Sequence, residues 1–198
     1  MENPLFRPHS LLLAFVLLLA APALWSCNTE TALQKTVREH EAQLRIIDED
    51  TIRNYLQRRR LLGRARRSNT GLYVVDSVAG TGAPVTAGKS VRVKYLGRFL
   101  SNVAHPASTG YPAYYGNPSF PAGSIFDNSA NNQTPCGCAV FTVGTLTAGF
   151  NEGLLLMRQG DRKLFLVPSR LAYGPGGSSP NIPPDSALLF DVEVLDVL

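Results

Sequence analysis

The sequence predicts an α+β domain in which an antiparallel, strongly curved sheet wraps one short helix, with a helical segment before it at the N-terminus. From residue 70 onward, short stretches alternate apolar and polar side chains, as strands with one buried face do. One helical candidate, residues 151–159, interrupts these stretches, and Gly160 ends it. Before residue 70, apolar side chains recur at helical spacing instead. A sheet that curves around one short helix leaves a pocket where it fails to close on that helix.

The predicted strands follow in the order 72–78, 91–99, 163–167 and 188–195. A cluster of turn residues, 80–88, separates the first two. The second strand places four apolar side chains on one face, namely Val91, Val93, Tyr95 and Phe99. This alternation favours a strand with one buried face.

The segment before the strands has helical periodicity. Its apolar stripe consists of Leu33, Val37, His40, Leu44 and Ile47. The acids at 48–50 predict a break there and a second helix, capped by Gly63. A stripe this short favours a helix that docks on the chain's own domain or serves as a stalk. A dimer interface is the less favoured alternative. The polar residues 64–69 are predicted to be a linker, so 27–69 would form a helical tether before a domain at 70–198.

The first residues have the character of an export signal. Arg7 precedes an uncharged apolar run, 11–21, which is shorter than the roughly 20 residues of a membrane span and suits a secretory signal. The segment 24–27, LWSC, resembles the bacterial lipobox, in which a peptidase cuts before a diacylated cysteine. We therefore predict a lipoprotein-type signal peptide at 1–26 and lipidation of Cys27, which would anchor the chain to a membrane. An ordinary cleaved signal or an uncleaved anchor is the alternative.

Charge is unevenly distributed along the chain. The net charge is +4, but six arginines lie between residues 58 and 67, whereas every charged residue from Asp185 onward is acidic. No motif that reads RNA or DNA accompanies the arginines. The pattern therefore indicates a solvated tether near an acidic or anionic surface, not a nucleic-acid partner.

Five ordered motifs resemble the FKBP-type peptidyl-prolyl cis-trans isomerases. They are VKYLG (93–97), IFDNS (125–129), FTVG (141–144), the run GFNEGLLLMRQGDRKLFLVPSRLAYG (149–174) and IPPDSALLFDVEVL (182–195). The resemblance covers residues 70–198 and implies an FKBP-like fold. Together with the lipobox, it is similar to the FKBP lipoproteins of Gram-negative envelopes. It therefore implies an outer-membrane lipoprotein, on the periplasmic side or the cell surface.

The resemblance also implies which residues act. The implied catalytic residues are Tyr95, Asp127 and Tyr173, and the implied substrate-binding residues are Phe126, Leu146, Thr147, Phe150, Ile182 and Phe190. In the family, the tyrosine that matches Tyr173 donates a hydrogen bond to the substrate carbonyl. The resemblance also implies that the loop from Tyr173 to Ile182 is a flap over the proline ring. Asp127 would orient Tyr95 or the flap and not act as a general base.

Several features depart from the family pattern, among them the segment GTLTAGF (144–150), which is shorter than the family's usual approach to the floor residue. Ala139 stands where a pocket phenylalanine is common, Phe150 where the floor is usually tryptophan, Asn132 near a usual arginine, and serines replace the flap aromatic or histidine. These changes imply a wider and less apolar pocket. They also keep open a second hypothesis, a non-catalytic binding or chaperone module with the same fold.

The implied reaction is rotation about X–Pro bonds. The barrier, about 18–20 kcal/mol, arises from amide resonance. A dry apolar pocket favours the twisted amide, so no nucleophile, cofactor or metal is implied. The implied partners are proline-containing unfolded or exported polypeptides and macrolide-type inhibitors.

Two features fall outside this pattern. Cys136 and Cys138 can form a disulfide or remain two partly buried thiols, and no histidine lies near them to favour a zinc site. An inserted loop at about 101–123 is rich in proline and tyrosine, which excludes a helix. It is either a lip that binds clients or a surface loop whose aromatic side chains pack on its own domain.

Overall fold

The computed structural model describes residues 30–100 and 123–198. The predictions for the signal peptide, for Cys27 and for nearly all of the inserted loop lie outside these residues. Within them, the helices are α1 (Ala32–Arg58) and α2 (Ala148–Leu155). The strands are β1 (Ala65–Arg67), β2 (Tyr73–Val78), β3 (Ser90–Phe99), β4 (Ile125–Asn128), β5 (Ala139–Thr142), β6 (Arg162–Val167) and β7 (Leu188–Val197). Neither helix combines the length and the apolarity that a membrane span requires.

All seven strands belong to one antiparallel sheet. Its order is β1-β2-β6-β7-β3-β4, and β5 pairs with β3 beside this path. The longest pairing joins β3 to β7 and sets Tyr95 opposite Val192 and Gly97 opposite Phe190. The predicted fold class, a curled antiparallel sheet with one short helix and a helical lead-in, is confirmed.

Helix α2 lies very close to the sheet because two of its residues have no side chain. A methyl group on Gly153 would lie 2.5 Å from the ring of Phe165, and one on Gly149 would lie 2.5 Å from Val167. The helix begins at Ala148, earlier than the sequence predicted, and it ends at Leu155. It ends early because the N–H groups of Leu156 and Met157 donate to carbonyls three residues back, which tightens the last turn.

The predicted break in the N-terminal helix is wrong, since α1 continues through residues 48–50. Asp48 does not cap a new helix: its carboxylate is buried and accepts hydrogen bonds from Ser169 N–H and Oγ–H, at 2.8 and 2.7 Å. The predicted cap at Gly63 is also wrong. Arg60 adopts a left-handed conformation, with φ of 56°, and the next N–H, of Leu61, donates to Leu56 O at 2.8 Å. This is the Schellman arrangement that ends helices.

The compact unit that contains the sheet begins at His40, within α1. Ile52 and Leu56 are fully buried there, among side chains that point from one face of the sheet, such as Tyr73 and Leu166. Alternate residues of the same strands point to the opposite face and form the core around α2. The sheet is therefore covered on both faces.

Residues 65–67, predicted to be part of a linker, form strand β1 instead. Ala65, Arg66 and Arg67 pair with Val75, Val74 and Tyr73 of β2. Arg66 also forms an ion pair with Asp76 at 2.7 Å. Backbone pairing with β2 holds these residues in place, and their side chains, of one alanine and two arginines, do not indicate it.

Candidate functional site

One cavity, of about 140 Å³, gathers most of the residues that the sequence singled out. Its walls come from strands β3, β4, β5 and β7, from the start of α2 and from the loops around them. The lining residues are Tyr95, Asp127, Phe141, Leu146, Thr147, Phe150, Tyr173 and Phe190. All three residues predicted to be catalytic line it, together with four of those predicted to bind substrate.

Phe150 forms the floor, at the first turn of α2. Its ring meets Phe190 edge to face, with centroids 5.0 Å apart and planes at 88°. Phe141 and Tyr95 also approach it near the perpendicular, at 6.0 and 6.1 Å. On the side of the sheet, Phe165 meets it at 6.0 Å and 88°. These edge-to-face contacts fix the ring, because aromatic quadrupoles favour that geometry.

The polar side of the cavity is built on one carboxylate. The hydroxyl of Tyr95 donates to Asp127 Oδ2 at 2.7 Å, and the N–H of Asn128 donates to Asp127 Oδ1 at 2.8 Å. Each carboxylate oxygen thus accepts one hydrogen bond. Burial, and after it the hydrogen bond to Asp127, raises the pKa of Tyr95 far above its usual range. Tyr95 therefore stays a protonated donor at neutral pH.

Tyr173 lies at the mouth of the cavity and is 39% exposed. Burial of part of its ring, followed by the negative charge of Asp127, raises the pKa of its hydroxyl. This hydroxyl is therefore also protonated at neutral pH, and it is accessible to a ligand.

Leu146 and Thr147 reach the cavity from the loop that precedes α2. Asn151 on α2 holds this loop in place: its Nδ2 donates to Leu146 O at 2.7 Å, and its Oδ1 accepts from Gly144 N–H at 2.8 Å. The amide of Asn151 therefore sets the position of both lining residues.

The structure does not bring Phe126 and Ile182 to the cavity wall. Phe126 stands behind Phe190, at 5.6 Å and 86°, and lies directly over Gly97, where an added methyl group would be 2.6 Å from its ring. Ile182 is buried in the core around α2. Its N–H and C=O both pair with Ser178, at 2.7 Å, which folds the flap back on itself. Both side chains support the wall and do not line it.

Phe141 was not singled out in the sequence, although it lines the cavity. It lies two residues after Ala139 on β5, and alternate residues of a strand point to the same face. Position 139 has no aromatic ring, but Phe141 supplies one on the same face of the strand. Applying the alternation to the FTVG motif would have identified it.

Helix α1 holds both ends of the segment that carries Tyr173 and the flap. At one end, Asp48 accepts the two hydrogen bonds from Ser169, and burial raises the pKa of this carboxyl to about 6. At the other end, His40 Nε2 lies 2.9 Å from Asp185 Oδ2. The N–H of Asp185 in turn donates to Gly174 O at 2.9 Å, which closes the base of the flap.

The cavity offers hydroxyls and aromatic rings, and no activated nucleophile. In residues 30–100 and 123–198, no group of three His, Cys, Asp or Glu side chains is arranged to hold a metal ion. What the site can do is enclose a small apolar ring and donate hydrogen bonds to a carbonyl beside it.

Comparisons with known proteins agree on one family. The model of the family described as FKBP-type peptidyl-prolyl cis-trans isomerase matches residues 82–195. A probable FKBP-type peptidyl-prolyl cis-trans isomerase of Haemophilus influenzae is 32% identical over 126 residues, which cover 64% of this chain and 42% of that protein. The FK506-binding protein of Neisseria meningitidis is 30% identical over 127 residues, which cover 64% of this chain and 96% of that protein.

Among solved structures, FkpA from Escherichia coli matches with a TM-score of 0.56 and 26% identity, over 96% of this chain and 82% of that one. The chain spans 42% of the Haemophilus protein and 58% of FkpA of Aeromonas hydrophila, so it covers about half of these curated relatives. The family model, in contrast, runs from the turn before β3 almost to the end of β7. The chain belongs to the FKBP-type peptidyl-prolyl cis-trans isomerase family.

Proposed function

We propose that the chain is a peptidyl-prolyl cis-trans isomerase that accelerates rotation about X–Pro bonds in exported proteins. The observation that carries the proposal is the cavity itself. It joins an aromatic floor and walls, around Phe150, to two protonated tyrosine hydroxyls, those of Tyr95 and Tyr173. A proline ring is small and apolar, and the carbonyl before it needs a hydrogen-bond donor. The site supplies both.

Catalysis would come from binding the twisted amide more tightly than the planar one. Rotation breaks amide resonance and leaves the bond less charge-separated than in the planar form, so an apolar enclosure disfavours the planar state relative to water. Lowering the barrier by about 8 kcal/mol corresponds to roughly a millionfold acceleration. The rings around Phe150 would hold the pyrrolidine while the preceding carbonyl turns.

Each polar group has a distinct part in this scheme. The exposed hydroxyl of Tyr173 would donate to the turning carbonyl. Asp127 would not remove a proton, because rotation about an X–Pro bond transfers none; instead it accepts hydrogen bonds from Tyr95 and from the N–H of Asn128. Its part is to hold the Tyr95 ring upright at the wall.

Exchanging Tyr173 for phenylalanine tests the proposal. The full chain in detergent is assayed for isomerisation of a proline-containing peptide, and kcat/KM is expected to fall about tenfold, the value of one lost hydrogen bond. Tyr55→Phe is the matched control. Tyr55, on α1, packs under the Arg59 guanidinium, outside the lining of the cavity, so the loss of its hydroxyl should leave kcat/KM unchanged.

A wild-type chain that binds the peptide but does not accelerate its isomerisation would instead identify a binding or chaperone module. Competition by a macrolide-type inhibitor would locate binding in the cavity.

We also propose that the chain is a lipoprotein of a Gram-negative-type envelope, anchored in the outer membrane. In this proposal residues 1–26 are the signal peptide, Cys27 carries the lipid, 27–69 lead into the domain, and 70–198 form it with an insertion at about 101–123. The support is the LWSC segment after an uncharged apolar run.

Metabolic labelling with an alkyne analogue of palmitate, in a bacterial host that processes lipoproteins, checks the anchor. The wild-type chain and a Cys136→Ser control should carry the label, and Cys27→Ser should carry none. Label that persists in the Cys27→Ser chain would place the lipid elsewhere, and an unlabelled wild type would rule the anchor out.

A further inference from the structure

Cys136 and Cys138 are joined by a disulfide, in the loop that leads into β5. The sequence left open whether the pair is oxidised or free, and the structure has it oxidised. One residue, Gly137, separates the two cysteines. The stabilisation that a cross-link gives falls as the loop it closes becomes shorter, so this bond restrains the unfolded chain very little.

Hydrogen bonds hold the same loop independently of the sulfur atoms. The hydroxyl of Thr134 donates its proton to Cys138 O, and its oxygen accepts from Cys138 N–H, both at 3.0 Å. The Oγ–H of Ser129, which is buried, donates to Gly137 O at 2.8 Å. The loop therefore has a scaffold that can persist when the disulfide opens.

The two sulfur atoms differ in access. Cys136 is exposed, whereas Cys138 is 3% exposed. An incoming thiolate can reach only the sulfur of Cys136, which makes Cys138 the leaving group. Thr134 Oγ lies 3.5 Å from Cys136 Sγ, so the hydrogen-bonded scaffold of the loop directly contacts the exposed sulfur.

Cys136 also lines a groove, of about 370 Å³, that is separate from the aromatic cavity. Lys94, Asn128 and Glu193 supply hydrogen-bonding side chains along it, which suits an extended polypeptide. Tyr95 contributes to the lining of both the groove and the cavity, so the two sites are neighbours.

We propose that the Cys136–Cys138 disulfide is a second active centre, which exchanges disulfides with cysteine-containing client polypeptides. A client thiolate attacks Cys136 Sγ, the bond between the two protein sulfurs breaks, and the electron pair leaves on Cys138, which takes up a proton. A second client thiolate then attacks the client sulfur of the mixed disulfide and releases Cys136 as a thiolate. The client dithiol is thereby oxidised to a disulfide, and the protein disulfide is reduced to a dithiol. This activity goes beyond X–Pro isomerisation and does not depend on it.

The experiment uses the full chain in a Cys27→Ser background, which leaves Cys136 and Cys138 as the only cysteines. The oxidised protein is mixed anaerobically with a reduced peptide that carries two cysteines and one proline. Mass spectrometry follows the peptide and the protein. We expect one equivalent of oxidised peptide per protein, with both protein sulfurs recovered as thiols, about tenfold faster than oxidation by glutathione disulfide at the same concentration.

Two single variants identify the sulfur that is attacked. Cys138→Ser and Cys136→Ser are each mixed with a single-cysteine peptide activated as its thionitrobenzoate disulfide. The remaining thiol of the protein displaces thionitrobenzoate, and a protein–peptide disulfide forms. Cys138→Ser, which keeps the exposed Cys136, should react at least about tenfold faster than Cys136→Ser, whose remaining sulfur is buried.

The double variant Cys136→Ser/Cys138→Ser separates this activity from isomerisation. It should not oxidise the peptide, while its kcat/KM for X–Pro isomerisation stays at the wild-type value. Peptide oxidation at or below the glutathione rate by the chain that keeps both Cys136 and Cys138 would overturn the proposal, and this readout does not depend on either cysteine variant being folded. Equal trapping by the two single variants would overturn the assignment of Cys136 as the attacked sulfur.

Discussion

Replacing Phe150 with alanine is expected to lower kcat/KM for X–Pro isomerisation by about 100-fold and the free energy of unfolding by about 3–5 kcal/mol. The ring is buried and meets four other rings edge to face, three of which line the cavity. Its removal opens a void that water can enter from the cavity. The apolar enclosure that would favour the twisted amide is then lost together with the packing.

Phe99→Ala separates these two effects. Phe99 is buried and packs against Phe126 at 5.1 Å, but it does not line the cavity. Urea unfolding should show a similar loss of stability for Phe150→Ala and Phe99→Ala. Their activities are then compared without urea, where both variants are folded. Phe99→Ala should then retain most of the wild-type kcat/KM. If the two variants lose activity equally, the Phe150 ring is ordinary core and not the floor of a working pocket.

Replacing Leu56 with alanine should lower the free energy of unfolding by about 2–5 kcal/mol, the usual cost of removing a buried leucine. Leu56 has no exposed surface and packs on the face of the sheet opposite α2. Leu33→Ala is the matched control on the same helix, because Leu33 is 74% exposed. That variant should stay within about 0.5 kcal/mol of the wild type.

Urea or thermal unfolding of the two leucine variants measures the difference directly. A much larger loss of unfolding free energy in Leu56→Ala than in Leu33→Ala means that the second half of α1 is part of the folding unit. Equal and small effects would show that α1 is only a tether and that the sheet is stable without it.

The fold could be predicted from the sequence because alternation is a local signal. Val91, Val93 and Tyr95 reveal the buried face of β3 whatever they pack against. The break predicted at 48–50 failed for the opposite reason: the partner of Asp48 is Ser169, 121 residues further along the chain. An acid that is satisfied by a distant donor is indistinguishable, in sequence, from one that caps a new helix. Strand β1 was missed because three residues, one alanine and two arginines, carry too little pattern.

The site was predictable only through the family motifs. Tyr95, Phe150 and Phe190 alone resemble any buried aromatic residues, and only their order along the chain suggested a common cavity. The same motifs also assigned substrate binding to Phe126 and Ile182, which the structure places behind the lining residues, so their part in binding stays a prediction. Phe141 was not predicted to line the cavity, because the family motif places the pocket ring at position 139 and this chain carries its ring two residues later on the same strand.

The two links from α1 to the segment around Tyr173 have a consequence for synthesis. The ribosome makes His40 and Asp48 early, but their partners Asp185 and Ser169 follow 145 and 121 residues later. Contacts this distant in sequence form late, because closing a long loop must precede them. The nascent chain can complete its own flap only after nearly all of the domain has been translated, so a chain truncated before Asp185 would lack a closed site.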